Sequence, residues 1–205
     1  MPGAGTRRLE GRVVIATHNA GKLKEMNDLL APYGIEAVSA GMLGLPEPVE
    51  NGTMFSENAG IKARAAATAT GLPAISDDSG LCVDALDGAP GIFTADWAGT
   101  PRDYYAGMER VRTELTRRGH EPTGEKAHFV SCIVVAFPDG AEQVFEGRAH
   151  GTLAFPPRGE HGFGYDPIFV PAGETRTFGE LLPAEKKTYS HRSQAVARMI
   201  KALLT

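Results

Sequence analysis

Val13-Val14-Ile15-Ala16-Thr17-His18-Asn19-Ala20-Gly21-Lys22-Leu23 is the stretch whose reading decides the fold class. Its first residues form a short apolar, β-branched run, which reads as a buried strand. A small polar loop follows, and then Leu23, Met26, Leu29, Leu30 and Tyr33 recur at helical spacing along one face. Asn19 stands where an N-cap is needed, its side chain able to accept from a free N–H of the first turn. Ile35 to Val38 reads as a second short strand. Strand, loop, helix and strand in that order open an α/β fold.

Downstream, the segment 41–52 is rich in Gly, Pro and Glu and reads as a loop. Thr53 is expected to cap a second, Ala-rich helix that ends at Gly71, with Glu57 favouring its first turn. Ala74-Ile75-Ser76 reads as a buried strand that breaks at Asp77-Asp78-Ser79-Gly80. A third helix should follow Pro101-Arg102-Asp103, burying Tyr104, Met108, Val111 and Leu115 and closing at Gly119. Phe129 to Phe137 and Glu142 to Gly151 are strand-like and joined by the turn Pro138-Asp139-Gly140. Val196, Met199, Ile200, Leu203 and Leu204 line a last amphipathic helix. The pattern predicts a mixed sheet with helices on its faces, in one domain over residues 1–205 or two closely packed lobes. Residues 1–11 are polar and expected to form a flexible N-terminal tail.

The totals exclude some functions. With 205 residues the chain can bury a substantial core. A formal net charge of −4 argues against a protein that coats nucleic acid, while leaving room for a local basic site that takes a small anion. Cys82 and Cys132 lack metal-type spacing and read as buried thiols of a reducing compartment. The longest apolar run, Cys132 to Phe137, is far short of the roughly 20 residues of a membrane span, and no signal peptide is visible. A cytoplasmic protein with no membrane or nucleic-acid partner is expected.

Five groups of residues could carry chemistry. The loop Thr17-His18-Asn19-Ala20-Gly21-Lys22 offers backbone N–H groups and a lysine to an anion at a helix N-terminus; a capped helix with a solvated lysine is the plainer alternative. Asp77 and Asp78 at the end of a buried strand suit Mg²⁺, which takes one or two carboxylates plus phosphate oxygens and water; an ordinary turn suits them equally. Gly162-Phe163-Gly164-Tyr165-Asp166-Pro167 forms either an aromatic platform for a flat base or a turn packed in the core. Ser190-His191-Arg192 places basic groups at the positive end of a helix, where an anion or an electron-rich carbonyl would compensate them; a solvated patch is the alternative. Glu47, Glu50 and Lys62, each taken alone, read as surface charges.

Taken in order, the motifs Thr17-x-Asn19-x-x-Lys22, Glu57-Asn58-Ala59 with Lys62-Ala63, Ser76-Asp77-Asp78-Ser79-Gly80-Leu81, Gly88-Ala89-Pro90-Gly91, Gly162 to Pro167 and Ser190-His191-Arg192 resemble the non-canonical purine nucleoside triphosphate pyrophosphatases, the inosine triphosphatase or RdgB/HAM1-like family. The resemblance runs from about Val13 to Leu204. It implies an elongated mixed β-sheet in two lobes with a central active-site cleft, and a homodimer. The implied activity is Mg²⁺-dependent hydrolysis of ITP, dITP or XTP to the monophosphate and pyrophosphate. Carried over by position, Thr17, His18, Asn19, Ala20, Gly21, Lys22 and Lys62 would hold the triphosphate. Asp78 would be the general base, assisted by Asp77, and Ser79 would touch substrate. Phe163, Gly164, Tyr165, Asp166, Lys186, His191 and Arg192 would grip the base. Asp78 and either Glu47 or Glu50 would bind the metal. The rivals are a Maf-type nucleotide pyrophosphatase, which lacks the last two motifs, and a silent nucleotide binder, which has no need of both aspartates.

Overall fold

The computed structural model describes residues 7–205. Its strands are β1 (Arg12–Ile15), β2 (Glu36–Ser39), β3 (Ala74–Val83), β4 (Lys126–Ala136), β5 (Glu142–Leu153) and β6 (Phe169–Pro171). Its α-helices are α1 (Ala20–Leu30), α2 (Phe55–Thr70), α3 (Tyr104–Arg117), α4 (Pro183–Tyr189) and α5 (His191–Leu203). The strands form one six-stranded sheet in the order β2-β1-β3-β4-β5-β6. It is mixed: β1 runs parallel to β2 and β3, and β5 antiparallel to β6. The α/β class expected from the opening stretch is the one observed.

Two compact units divide the chain, one of residues 1–78, 132–146 and 194–205, the other of 79–131 and 147–193. In the first, β1 is covered on both sides, which is why it reads as an unbroken apolar run. Val13 and Ile15 pack with Met26 and Leu30 of α1 and with Val196, Met199 and Leu203 of α5. Val14 and Ala16 pack with Ala59, Ala63, Ala66 and Ala67 of α2, whose small side chains bring that helix close. The core of the second unit gathers Leu81, Met108, Val111, Leu115, Phe129, Tyr165, Phe169 and Phe178.

Three local expectations need correction. Strand β3 does not break at Asp77 but continues to Val83, with Asp77 and Asp78 buried in its middle. Thr53 does not cap α2 with an accepting hydroxyl. Its N–H and its hydroxyl both donate to Glu57 Oε2, at 2.6 and 3.0 Å, and the Met54 N–H joins them at 3.2 Å, so the carboxylate organises the helix start. The expected tail over residues 1–11 lies partly outside the described residues, but within them Leu9 is buried among the apolar side chains of α1 and α5. Its N–H donates to Leu203 O at 2.9 Å, and burying one such side chain stabilises by about 1.5–3 kcal/mol, enough to tie the segment down. Helix α4, with Pro183 in its first turn, gave no clear periodic signal because it spans barely two turns.

Candidate active site

In the first unit the loop between β1 and α1 is built as the sequence suggests. Asn19 Oδ1 accepts from the Lys22 N–H at 3.1 Å, and Thr17 Oγ1 accepts from the Asn19 N–H at 3.1 Å. Ala20 and Gly21 form the first turn of α1, and Lys22 reaches from that turn to β3. Its ammonium lies 3.1 Å from Asp77 Oδ2 and donates to the Asp77 carbonyl at 3.3 Å. A cation at the positive end of a helix is unfavourable by itself, and here a buried carboxylate matches it.

Asp78, the next residue of β3, faces a second lysine. Lys62 Nζ is 3.6 Å from Asp78 Oδ1 and 2.9 Å from Glu50 Oε2, with side-chain exposures of 11% for Lys62 and 12% for Asp78. Asp78 Oδ2 is buried and meets no hydrogen-bond donor among the described residues. Burial pushes the Asp78 carboxyl above its ordinary range, as do the nearby Glu50 and Asp77, and the fields of Lys62 and Lys22 only partly offset this. For Lys62, burial pulls the ammonium down, but Asp78, Glu50 and Asp77 together outweigh it and raise it. Lys62 is therefore charged at neutral pH while the Asp78 carboxylate holds a proton more readily than usual.

The two glutamates read as alternative partners of Asp78 lie in different surroundings. Glu47 lies beside His18, 4.0 Å from its Nδ1, on the exposed side of the loop, and the His18 Nε2 is 3.2 Å from the Leu45 carbonyl. Among the described residues no three acidic, His or Cys side chains converge on one point. Asp78 and Glu50 are the two carboxylates brought together, through the lysine they share. Two hard oxygen donors, one of them bearing a buried oxygen that no donor satisfies, fit a magnesium ion that keeps part of its water and phosphate shell.

In the second unit the Gly162–Pro167 segment divides its labour. Tyr165 is no stacking platform: it is buried, its hydroxyl donates to the Thr94 carbonyl at 3.0 Å, and its ring meets Tyr104 edge-on at 5.9 Å. Burial pushes its phenol well above the ordinary range. The core reading of the motif wins for that ring because its hydroxyl finds a carbonyl inside. Phe163 is the aromatic left partly exposed. Asp166 is buried, and its Oδ2 accepts from the Phe163 N–H at 2.8 Å and pairs with Lys186 Nζ at 2.7 Å. Gly162 has φ +75°, and a Cβ there would collide with the Asp166 carboxylate, so glycine is required on both counts. Gly164 also has positive φ, 69°.

Two more cations flank Phe163: Lys186 Nζ lies 5.3 Å and Arg192 Cζ 5.6 Å from its ring centroid. Arg192 is 1% exposed, and its Nη2 donates to Ser79 Oγ at 3.0 Å, tying the start of α5 to the residue after Asp78. His191 is buried and stacks on Phe129 with centroids 4.8 Å apart and planes at 11°. The alternative of a solvated basic patch fails here, since both side chains are in the interior. Sequence reading missed Phe129 as part of this set. Its strand was recognised, but nothing in the local pattern said which ring it would meet. It also missed the link from Glu50 to Lys62.

The Ham1 family profile matches residues 13–202. The chain belongs to the Ham1 family. It is 55% identical over 206 residues to a dITP/XTP pyrophosphatase of Rhodopseudomonas palustris, covering 97% of this chain and 98% of that one. A dITP/XTP pyrophosphatase of Zymomonas mobilis is 54% identical over 199 residues, covering 97% and 95%. Among solved structures, a HAM1 protein from Coxiella burnetii is 38% identical and superposes with a TM-score of 0.85, covering 94% of this chain and 98% of the other. The Staphylococcus aureus Ham1 protein gives a TM-score of 0.80 at 34% identity, covering 92% and 95%. The Ham1 family is thus reached by sequence and by fold alike, as the ordered motifs had implied.

Proposed function

We propose that this Ham1-family chain is a dITP/XTP pyrophosphatase, hydrolysing dITP, ITP and XTP to the nucleoside monophosphate and pyrophosphate. The observation that carries the reading is the pair of buried, adjacent carboxylates in β3, each matched to a lysine, with one oxygen of Asp78 unsatisfied. A purely structural strand would gain nothing from two buried aspartates, because their desolvation costs more than a surface turn would. The names of relatives more than 50% identical over nearly the whole chain point the same way.

In this reading Asp78 is the general base. A carboxyl held above its ordinary range is better poised to take a proton from water near neutral pH. Lys22 and Lys62, with the N–H groups of the Thr17–Lys22 loop, offset the charge that grows on the phosphates as water attacks. Asp77 fixes Lys22 in reach of them. Asp78 and Glu50 would hold Mg²⁺, which when bound supplies further charge neutralisation on phosphate oxygens. In the second unit Phe163 offers the stacking face, Arg192 and Lys186 supply cationic donors to a purine 6-oxo group, and His191 supplies a ring N–H. Adenine presents an amino donor at that position and would leave those donors unmatched, a buried polar mismatch that discriminates strongly. A cytoplasmic homodimer completes the proposal, supported by membership of the family, and light scattering on the purified protein checks the dimer.

The test is product identity. Purified protein with Mg²⁺ and ITP, dITP, XTP, GTP, ATP or dTTP should release pyrophosphate from the first three. Orthophosphate as product would overturn the reaction, and preference for dTTP would overturn the purine assignment.

A further inference from the structure

Lys62 pairs with both of the carboxylates proposed to hold the metal. Its ammonium is within ion-pair distance of both Glu50, at 2.9 Å, and Asp78, at 3.6 Å. Two carboxylates brought to one lysine, Asp78 buried and Glu50 more exposed, repel unless a cation lies between them. The lysine supplies that cation. Because Asp78 uses Oδ1 toward Lys62, its buried Oδ2 is left with no donor among the described residues. The ammonium has three donors and meets both carboxylates at once. Here it bridges a strand residue and a residue of the loop 41–52.

We propose that Lys62 is a built-in stand-in for the divalent cation. In the metal-free protein its ammonium holds Glu50 and Asp78 together; metal entry displaces it, and the freed ammonium becomes available to the incoming phosphates. The device keeps the two ligands paired before the ion arrives, so the loop bearing Glu50 need not be reordered at each binding event. It also makes metal affinity conditional, since the ion competes with a tethered cation. An ion that must displace a resident group binds with an apparent affinity lowered by the fraction of time the site stands open. The inference rests on the reading of Asp78 and Glu50 as metal ligands.

Mn²⁺ binding followed by electron paramagnetic resonance, without nucleotide, tests it. Asp78→Asn and Glu50→Gln should each weaken Mn²⁺ binding in the full-length protein; if neither does, the metal site itself is misassigned and the stand-in falls with it. With that established, Lys62→Met should tighten Mn²⁺ binding about tenfold or more, the gain expected if the ammonium holds the site roughly nine-tenths of the time. Lys22→Met removes an equal charge that pairs with Asp77 instead, and should tighten it far less. Equal gains in the two variants, or none in Lys62→Met, would refute displacement while leaving the ligand assignment intact. Should Lys62→Met fail to fold, the side-chain ammonium ¹⁵N resonance of Lys62 in the unmodified protein provides the same decision. It must move on titration with Mg²⁺, and an unmoved resonance at saturating metal overturns the proposal.

Discussion

Replacing Asp166 with asparagine preserves the shape of the side chain and removes its charge. The carboxylate it removes faces the Lys186 ammonium at 2.7 Å, with the two side chains 4% and 7% exposed. Taking away one partner of a buried pair costs about 3–5 kcal/mol, because the remaining charge stays in a medium that solvates it poorly. For a chain of 205 residues each kcal/mol moves the melting temperature by about 2–4 °C, so Asp166→Asn should lower it by roughly 6–20 °C. The same carboxylate accepts from the Phe163 N–H at 2.8 Å, and Lys186 lies over the Phe163 ring, so the exposed aromatic should loosen as well. At temperatures where the variant is still folded, KM for the purine substrate should rise more than kcat falls. A double variant, Asp166→Asn with Lys186→Met, removes both charges and should recover much of the lost stability, since a neutral pair of similar volume is often as stable as the ion pair. Urea unfolding of wild type, the double variant and each single variant, Asp166→Asn and Lys186→Met, gives the coupling energy, expected at about 2–3 kcal/mol. A single variant that loses less than about 1 kcal/mol, or a double variant whose loss equals the sum of the two, would refute the buried-pair argument.

Four further outcomes follow from the same geometry. Asp78→Asn should lower turnover by about 10²–10⁴-fold, the usual contribution of a general base, while the protein stays folded. The same pair of proteins has a pH signature. Burial raises the folded-state value of Asp78 above the unfolded one, so its carboxyl favours the native state below the ordinary carboxylate range and that contribution is lost as pH rises through the raised value. In chelator, wild type should therefore lose stability relative to Asp78→Asn as pH rises across that window, and a difference that grows the other way would contradict the burial argument. Gly80→Ala drives a methyl into the Gly91 carbonyl and the Thr94 hydroxyl, and should cost about 1–3 kcal/mol by thermal melting. Burial pushes the Cys132 thiol up to about 12, so an aromatic disulfide reagent at pH 8 should leave it unmodified in the native protein and modify it in denaturant.

How much of this was legible along the chain depends on the range of the interaction. Residues that act on near neighbours announced themselves: Asn19 capping Lys22, Asp103 accepting from the Tyr105 and Ala106 N–H groups, and the apolar spacing of α5. The Phe163–Asp166 motif was visible as a unit because Asp166 bonds to a backbone three residues away, but the roles of its two rings were not. Tyr165 became a core residue only because Thr94, far off in the chain, presents it a carbonyl. The strand was expected to stop at Asp77 because a buried carboxylate is costly by itself, a penalty that Lys22 and Lys62 offset only once the chain has folded.

The sequence by itself determined the α/β class and the order of the principal helices and strands, because those rest on periodicity and on contacts within a few residues, and its ordered motifs carried the resemblance to the Ham1 family. Tertiary structure alone decided that Glu50 rather than Glu47 joins Asp78 through Lys62, that Phe163 rather than Tyr165 stays open, and that His191 stacks on Phe129. Each of those is a choice between chemically similar side chains. What separates them is which distant group they meet after burial, and the energy of a charge or a ring in a protein interior is set by that neighbour more than by its own identity.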